Sequence, residues 1–136
     1  MVLKIKELKM SSSVLDVARI YKNKLQGEAH SLFRDMLMCK VSGVTFDNRQ
    51  EAMRKVTLDT PVRLSRDRHN EHDFYAVLVD AFVDEVWEDV GFIPSSMNKK
   101  IAHALDAGVK LEAKVWKLSG GEGDFFRGLT ITLERE

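Results

Sequence analysis

The sequence lacks the features that define several classes of protein. Cys39 is the one cysteine among 136 residues, which excludes an intramolecular disulfide. It stands between Met38 and Lys40 in a strand-like run, so we predict a small buried hydrophobe there. No apolar run is long enough to cross a bilayer, and Met1–Lys4 is not followed by the apolar core of a signal peptide. A cytoplasmic location without membrane association is therefore expected.

The chain also lacks net charge and the motifs of common enzymes. Lys+Arg and Asp+Glu are 21 each, which argues against coating long DNA by charge alone. The charge is uneven, since acids concentrate over residues 80–89 and arginines alternate over residues 63–68. No G-x-x-x-x-G-K-[ST], H-E-x-x-H or C-x-x-C motif occurs. We therefore predict no catalytic residues, no metal and no cofactor.

Residues 1–35 differ from the rest of the chain, because they contain no aromatic-rich runs of the kind that predict strands. The overall composition, with 44% hydrophobic and 31% charged residues, fits one soluble globular domain. Apolar residues between Val14 and Leu25 recur at helical spacing, with Ser13 placed as a cap and Gly27 as a stop. This pattern predicts an amphipathic helix over residues 13–26, within an N-terminal extension that ends at residue 35.

From Met36 onward, short runs of β-branched and aromatic residues predict a small sheet closed on itself. One helix is predicted between Pro94 and Gly108, with Ser95 or Ser96 as its N-cap. Residues 36–136 are thus expected to form a mainly β domain of the α+β class. The architecture would be a six-stranded OB-like or SH3-like β-barrel with one helix between strands 4 and 5. The candidate strands are 36–46, 55–65, 74–83, 86–92, 109–117 and 125–134.

Several residues have both a structural and a functional interpretation. Gly43 inside a strand predicts a bulge, a sharp bend or a close approach of backbones. Asn70 and Asp73 lie between two strand patterns, where such side chains bond to backbone N–H groups and fix a loop. Gly91 and Phe92 precede the helix, where the ring would either pack against the core or form a stacking platform.

Three stretches, in this order and spacing, resemble the HIRAN domain. Lys40–Gln50 contains V-S-G-V-T-F, where the family has V-x-G-V-x-aromatic. Val62–Val79 follows the family pattern V-x-L-x-R-E/D-P-x-N-x-x-D-x-x-A-I-x-V, apart from a few positions. Val90–Pro94 reads V-G-F-I-P before the predicted helix, where the family has V/I-G-Y/H-I/L-P. Each match is short, and their common order makes the resemblance specific.

The resemblance implies a non-enzymatic module that binds the 3′ end of single-stranded DNA in repair or replication. The positions matched by Phe46 and Asp47 lie against the terminal nucleotides. The acid matched by Asp73 approaches the terminal 3′-hydroxyl, and the asparagine matched by Asn70 shapes that pocket. The other candidates are His72 and Phe92 for stacking, and Arg66 and Arg68 for flanking phosphates.

The chain also departs from the family pattern. A tyrosine pair in the best-known DNA-binding relative is Phe46-Asp47 here, a proline is replaced by Arg68, and an aromatic residue is replaced by His72. The neutral charge and Asp47 support an alternative, a protein-interaction or oligomerisation module. Its N-terminal helix would dock a DNA-processing protein or a second copy of the chain. A nuclease would require a divalent metal at the loop 69–73.

Overall fold

A computed structural model of the chain describes residues 36–123 and 125–136. The predicted N-terminal helix over 13–26 lies outside the described residues. The elements in chain order are β1 (Leu37–Lys40), α1 (Arg49–Met53), β2 (Val62–Arg66), β3 (Val77–Val83), β4 (Val86–Phe92), α2 (Asn98–Asp106), β5 (Leu111–Gly120) and β6 (Arg127–Arg135). The mainly β, α+β class is confirmed, and the helix predicted between the fourth and fifth strands is present as α2, whereas α1 between β1 and β2 was not expected.

The strands form two antiparallel sheets of three rather than one closed barrel. One sheet has the order β1-β6-β5 and the other has the order β2-β3-β4. Single bridges join their edges, between Ser42 and Phe92 and between Pro61 and Lys114. The prediction of a closed six-stranded barrel is not confirmed, because between the sheets the continuous ladders give way to these isolated contacts.

The core lies between the inner faces of the two sheets. Along β6, Leu129, Ile131 and Leu133 are fully buried, because alternate residues of a strand point to the same face. Val77 and Val79 of β3 are buried in the same way from the other sheet. On the helix α2, the predicted core residues Ile101 and Ala102 are fully buried, and Leu105 packs against the core.

Cys39 belongs to this core, as predicted. Its side chain is 1% exposed and lies opposite Ile131 of β6. Burial disfavours the charged thiolate and raises the pKa of the Cys39 thiol to about 11. The thiol is therefore an inert part of the core rather than a nucleophile.

Several predicted boundaries were wrong, each for a local reason. The strand predicted over 36–46 ends at Lys40, because a turn with positive φ at Gly43 follows. The strand predicted over 55–65 begins at Val62, after a turn in which the Thr57 N–H donates to the Thr60 hydroxyl. The short helix α1 was not predicted at all, since its five residues are too few to show helical periodicity.

The start of α2 also differs from the prediction. Neither Ser95 nor Ser96 caps the helix; Met97 occupies the cap position without a side-chain hydrogen bond. The Pro94 carbonyl instead accepts the N–H groups of Met97 and Asn98. Among the described residues, no helix is long and apolar enough to span a membrane.

Candidate functional site

The first loop, residues 43–48, connects β1 to α1 and carries a large exposed ring. Its backbone turns sharply, because φ is positive at Gly43 (70°), Asp47 (56°) and Asn48 (60°). Glycine, Asn and Asp adopt this left-handed conformation more readily than other residues. The Phe46 side chain is 66% exposed and the Asp47 side chain is 81% exposed. Both predicted contact residues are therefore at the surface, where a ligand can reach them.

Arg49, which was not predicted as a site residue, packs against the first loop and bonds its backbone. Its Nη1 donates to the Gly43 carbonyl at 2.9 Å, and its Nη2 bonds the Asp89 carboxylate at 2.9 Å. The guanidinium carbon lies 4.7 Å from the ring centroid of Phe92, which is half-buried. Phe92 is thus packed beneath the loop rather than presented as an open platform. Nothing local in the sequence distinguishes this buried arginine from a solvated one.

The second loop, residues 67–75, is organised by Asn70. The Asn70 Oδ1 accepts the backbone N–H groups of His72 and Asp73, both at 2.9 Å. Its Nδ2 donates to the Asp67 carboxylate at 3.2 Å. Asn70 therefore has the loop-fixing role that its position in the sequence suggested. The His72 side chain is exposed above this turn.

Asp73 is held at the surface by two hydrogen bonds. Its Oδ1 accepts the Tyr75 N–H at 2.8 Å, and its Oδ2 accepts the Asn98 Nδ2 at 2.7 Å. Asn98 is 4% exposed, whereas Asp73 is only half-buried. A carboxylate has roughly four acceptor positions, so both oxygens can accept further hydrogen bonds. The geometry thus combines a fixed, half-buried carboxylate with unused accepting capacity.

The segment 92–98 lies between the two loops and connects them. Phe92 exchanges backbone hydrogen bonds with Ser42 at 2.8 and 2.9 Å, next to the first loop. The Ile93 N–H then donates to the Val77 carbonyl at 2.9 Å, which places the segment alongside β3. Its last residue makes the amide contact to the carboxylate of the second loop. The three stretches that resemble a known family are therefore brought together in space.

The two predicted phosphate-binding arginines have different environments. Arg66 is 7% exposed, and its guanidinium bonds Asp106 at 3.2 Å, the Ala76 carbonyl at 2.7 Å and the Phe74 carbonyl at 3.0 Å. Arg68 is 63% exposed and shares Asp106 at 2.7 Å. This geometry suits Arg66 to holding the second loop and Arg68 to reaching a ligand.

A glutamine joins the first loop to the β5–β6 hairpin. The Gln50 Nε2 donates to the carbonyls of Val44 and Arg127, both at 2.9 Å, and its Oε1 accepts the Arg127 N–H at 2.8 Å. Phe126, which precedes Arg127, is 63% exposed. The exposed rings of Phe46 and Phe126 therefore lie on two segments that the Gln50 side chain links by hydrogen bonds.

A third exposed ring directly follows the carboxylate of the second loop. Phe74 is 78% exposed and lies edge-on to Tyr75, with ring centroids 5.2 Å apart. Tyr75 in turn contacts His103 edge-on at 5.4 Å, and the Lys99 ammonium lies 5.5 Å from its ring centroid. Phe74 was not predicted as a site residue, because it was included in the following strand, which begins only at Val77.

The histidines of the second loop do not form a metal cluster with neighbouring acids. His69, Glu71 and His72 are all exposed. Across residues 36–123 and 125–136, no group of three or more His, Cys, Asp or Glu residues is arranged to hold a metal ion. The geometry therefore offers no support for the metal-dependent nuclease considered above.

Comparison with known proteins gives one family and two solved structures. The family model of the HIRAN domain matches residues 35–122. A protein from Lactobacillus plantarum is similar in structure, with 20% identity and a TM-score of 0.55, over 74% of this chain and 97% of that one. The HIRAN domain of human HLTF is similar with 22% identity and a TM-score of 0.50, over 72% of this chain and 74% of that one. No curated protein matches the sequence.

Proposed function

Since the chain belongs to the HIRAN domain family, we propose that it is a nucleic-acid-binding module for the 3′ end of single-stranded DNA. Its site is formed by the first loop, the second loop and the start of α2. It has no catalytic activity and works in DNA repair or replication. The observation that carries this proposal is the fixed, half-buried Asp73 carboxylate, whose oxygens can each accept a further hydrogen bond.

A carboxylate at this position can distinguish the 3′ end of a DNA strand from its interior. A terminal 3′-hydroxyl is a donor that a carboxylate accepts, whereas an interior 3′ oxygen carries a phosphate that the same carboxylate repels. The hydrogen bond from the buried Asn98 amide prevents Asp73 from turning away. Hydrogen bonds that involve a charged group contribute about 1.5–3 kcal/mol. The hydroxyl can therefore determine which part of a strand binds.

The exposed rings supply affinity that does not depend on base sequence. Phe46 and Phe74 are exposed on the two loops that flank the segment 92–98. Stacking of one base on an aromatic side chain contributes about 1–3 kcal/mol, and every base can stack. Arg68, with 63% of its side chain exposed, is placed to contact a nearby phosphate.

The overall charge favours recognition of an end over general attraction to DNA. Residues 36–136 contain 14 Lys/Arg and 17 Asp/Glu, so this part of the chain is slightly acidic. An acidic domain is not drawn to a polyanion by its net charge. Binding must then come from a few specific contacts, as the proposed site requires.

The proposal is tested with short oligonucleotides that differ only at their ends. Fluorescence anisotropy would compare a six-nucleotide strand with a free 3′-hydroxyl, the same strand with a 3′-phosphate, and the same strand with a 5′-phosphate. We expect the 3′-phosphate to weaken binding about 10- to 100-fold, while the 5′-phosphate, which adds the same charge, has little effect. Equal affinity for all three strands, or no binding of any of them, would refute end recognition.

A second candidate function, docking of a protein partner, is supported by an aromatic pair on the β2-β3-β4 sheet. Phe82 and Trp87 lie 5.2 Å apart, each 39% exposed, and the Arg63 guanidinium lies 4.3 Å from the Trp87 ring centroid. Aromatic and arginine side chains are enriched in protein interfaces. Substituting Trp87 by Ala separates the two functions, because a protein partner would be lost while the discrimination between DNA ends would persist.

A further inference from the structure

The outer face of the β1-β6-β5 sheet carries a group of lysines around a tryptophan. Lys40 of β1 and Lys117 of β5 both lie opposite Thr130 of β6, one on each side. Lys114 lies opposite Thr132 in the next row. All three lysines are exposed, while the alternate residues of the same strands face the core. We refer to Lys40, Lys114, Trp116 and Lys117 as the lysine face.

A β-bulge brings Trp116 onto this face. The register of β5 against β6 shifts between Val115 and Lys117, so Trp116 is the extra residue of the bulge. Bulges redirect a side chain relative to the regular alternation of a strand. Trp116 is 55% exposed beside Lys117, and neither residue has a place in the core. A large exposed indole between lysines is a stacking surface rather than a packing element.

The charges of the lysine face are available to a ligand. Within the described part of the chain, Lys40 and Lys117 make no ion pair, and Lys114 is 3.5 Å from Glu112. Glu112 lies opposite Glu134 at the far end of the face, away from Lys40. The β3-β4 hairpin region has the opposite sign, with the exposed acids Asp84, Glu85 and Glu88. A polyanion can therefore follow one sheet of the domain and not the other.

The lysine face is continuous with the proposed end site. Lys40 is the last residue of β1, and the Val41 N–H that follows it donates to the Leu129 carbonyl at 2.9 Å. Ser42 next makes the bridge to Phe92, and the first loop with its exposed ring follows directly. A strand whose end lies between the loops can thus pass onto the lysine face at Lys40.

We propose that the lysine face binds the sugar–phosphate backbone of the single strand whose 3′ end occupies the proposed site, with Trp116 stacking on one base. This inference rests on the proposed function and extends it to the strand interior. The chain's own residues 1–35 fit the face poorly, because they carry seven Lys/Arg and four Asp/Glu and so share its sign. A phosphate backbone complements it.

The test measures how affinity grows with strand length in the full chain. For wild type, a twelve-nucleotide strand should bind more tightly than a four-nucleotide strand of the same 3′ end. In the double variant Lys40→Gln and Lys117→Gln, two fewer phosphates are neutralised. The twelve-nucleotide strand should then bind about 20-fold more weakly at 0.1 M salt, with the slope of log affinity against log salt reduced by about 1.4. The four-nucleotide strand should bind as before.

A matched control removes the same charge elsewhere. Lys55 pairs with Asp84 on the acidic side, and Lys110 precedes β5, so in the double variant Lys55→Gln and Lys110→Gln the affinity should still increase with strand length.

An unchanged increase of affinity with strand length in the variant of Lys40 and Lys117 would overturn the inference, while the discrimination between strand ends would still stand. If affinity still grows with strand length through those lysines but no preference for a free 3′-hydroxyl is found, the lysine face binds single strands and the proposed end recognition is refuted. If light scattering shows that the Lys40→Gln and Lys117→Gln variant changes its oligomeric state, while its affinity still increases with strand length, the lysine face is a protein interface and the inference is overturned.

Tryptophan fluorescence gives an independent measurement, because the chain has two tryptophans on different sheets. In Trp87→Phe, the remaining Trp116 should be quenched by the twelve-nucleotide strand and not by the four-nucleotide strand. In the reciprocal variant Trp116→Phe, the remaining Trp87 should respond to neither. Quenching of Trp87 alone would place the strand on the wrong sheet and overturn the inference.

Discussion

Substitution of Asp73 by Asn is expected to bring the affinities for 3′-hydroxyl and 3′-phosphate strands within about threefold of each other, from a wild-type ratio of about 10 to 100. An amide still accepts the hydroxyl proton through its oxygen, but it no longer repels a phosphate and can donate to it. Discrimination should therefore fall mainly through tighter binding of the phosphorylated strand. Anisotropy titrations of both strands against wild type and variant give this ratio directly.

The control for this variant is Asn98→Ala. It removes the buried amide that bonds the Asp73 Oδ2 but leaves the carboxylate in place. Both substitutions disturb the same hydrogen bond, so both should lower the free energy of unfolding by about 1–2 kcal/mol in urea titrations. Asn98→Ala should nevertheless keep most of the discrimination. If both variants lose it equally, Asp73 acts only through the architecture of the second loop.

Substitution of Gly91 by Ala is expected to lower the free energy of unfolding by about 3–5 kcal/mol, a large part of the stability of a small domain. A Cβ at this position would overlap the Ser42 carbonyl oxygen and lie 2.6 Å from the Val41 side chain. The backbone also has φ of 150°, which side-chain-bearing residues rarely adopt. This is where β4 bridges to the strand end before the first loop, so the junction between the sheets should open. Urea denaturation followed by circular dichroism measures the loss.

Gly108→Ala separates backbone strain from steric overlap. Gly108 also has a positive φ, 82°, but a Cβ there would meet nothing within 4 Å. Its substitution should cost only about 1 kcal/mol, the strain of the left-handed backbone. An equal loss in the two variants would mean that the close approach at Gly91 does not hold the sheets together.

Strands and helices could be predicted from the sequence where apolar residues recur with the period of that element over its whole length. The strand 86–92 was predicted to the residue, and the helix between Pro94 and Gly108 was correct apart from its first turn. Errors arose where a turn interrupts an apolar run, as at Gly43, and where an element is too short for periodicity, as in α1. The two sheets are joined at their edges by single bridges between residues far apart in sequence, and no local pattern predicts such contacts.

The candidate site could be predicted only in part, for a related reason. Asn70 and Asp73 were found because a short polar loop between strands has a characteristic composition and a family resemblance. Asn98 and Arg49 were missed, because their partners Asp73 and Asp89 are 25 and 40 residues away. Their residue types alone are those of an ordinary exposed surface. The supporting contacts of the site are thus visible in the structure and not in the sequence.

The central claim is that a carboxylate reads the terminal hydroxyl, and one measurement addresses that hydroxyl without adding charge. It compares the affinity of the full chain for a six-nucleotide strand ending in a normal 3′-hydroxyl with its affinity for the same strand ending in a 2′,3′-dideoxynucleotide. Loss of one hydrogen bond to a charged group should weaken binding of the dideoxy strand about tenfold or more. Equal affinity for the two strands would contradict the claim that Asp73 recognises the end of the strand.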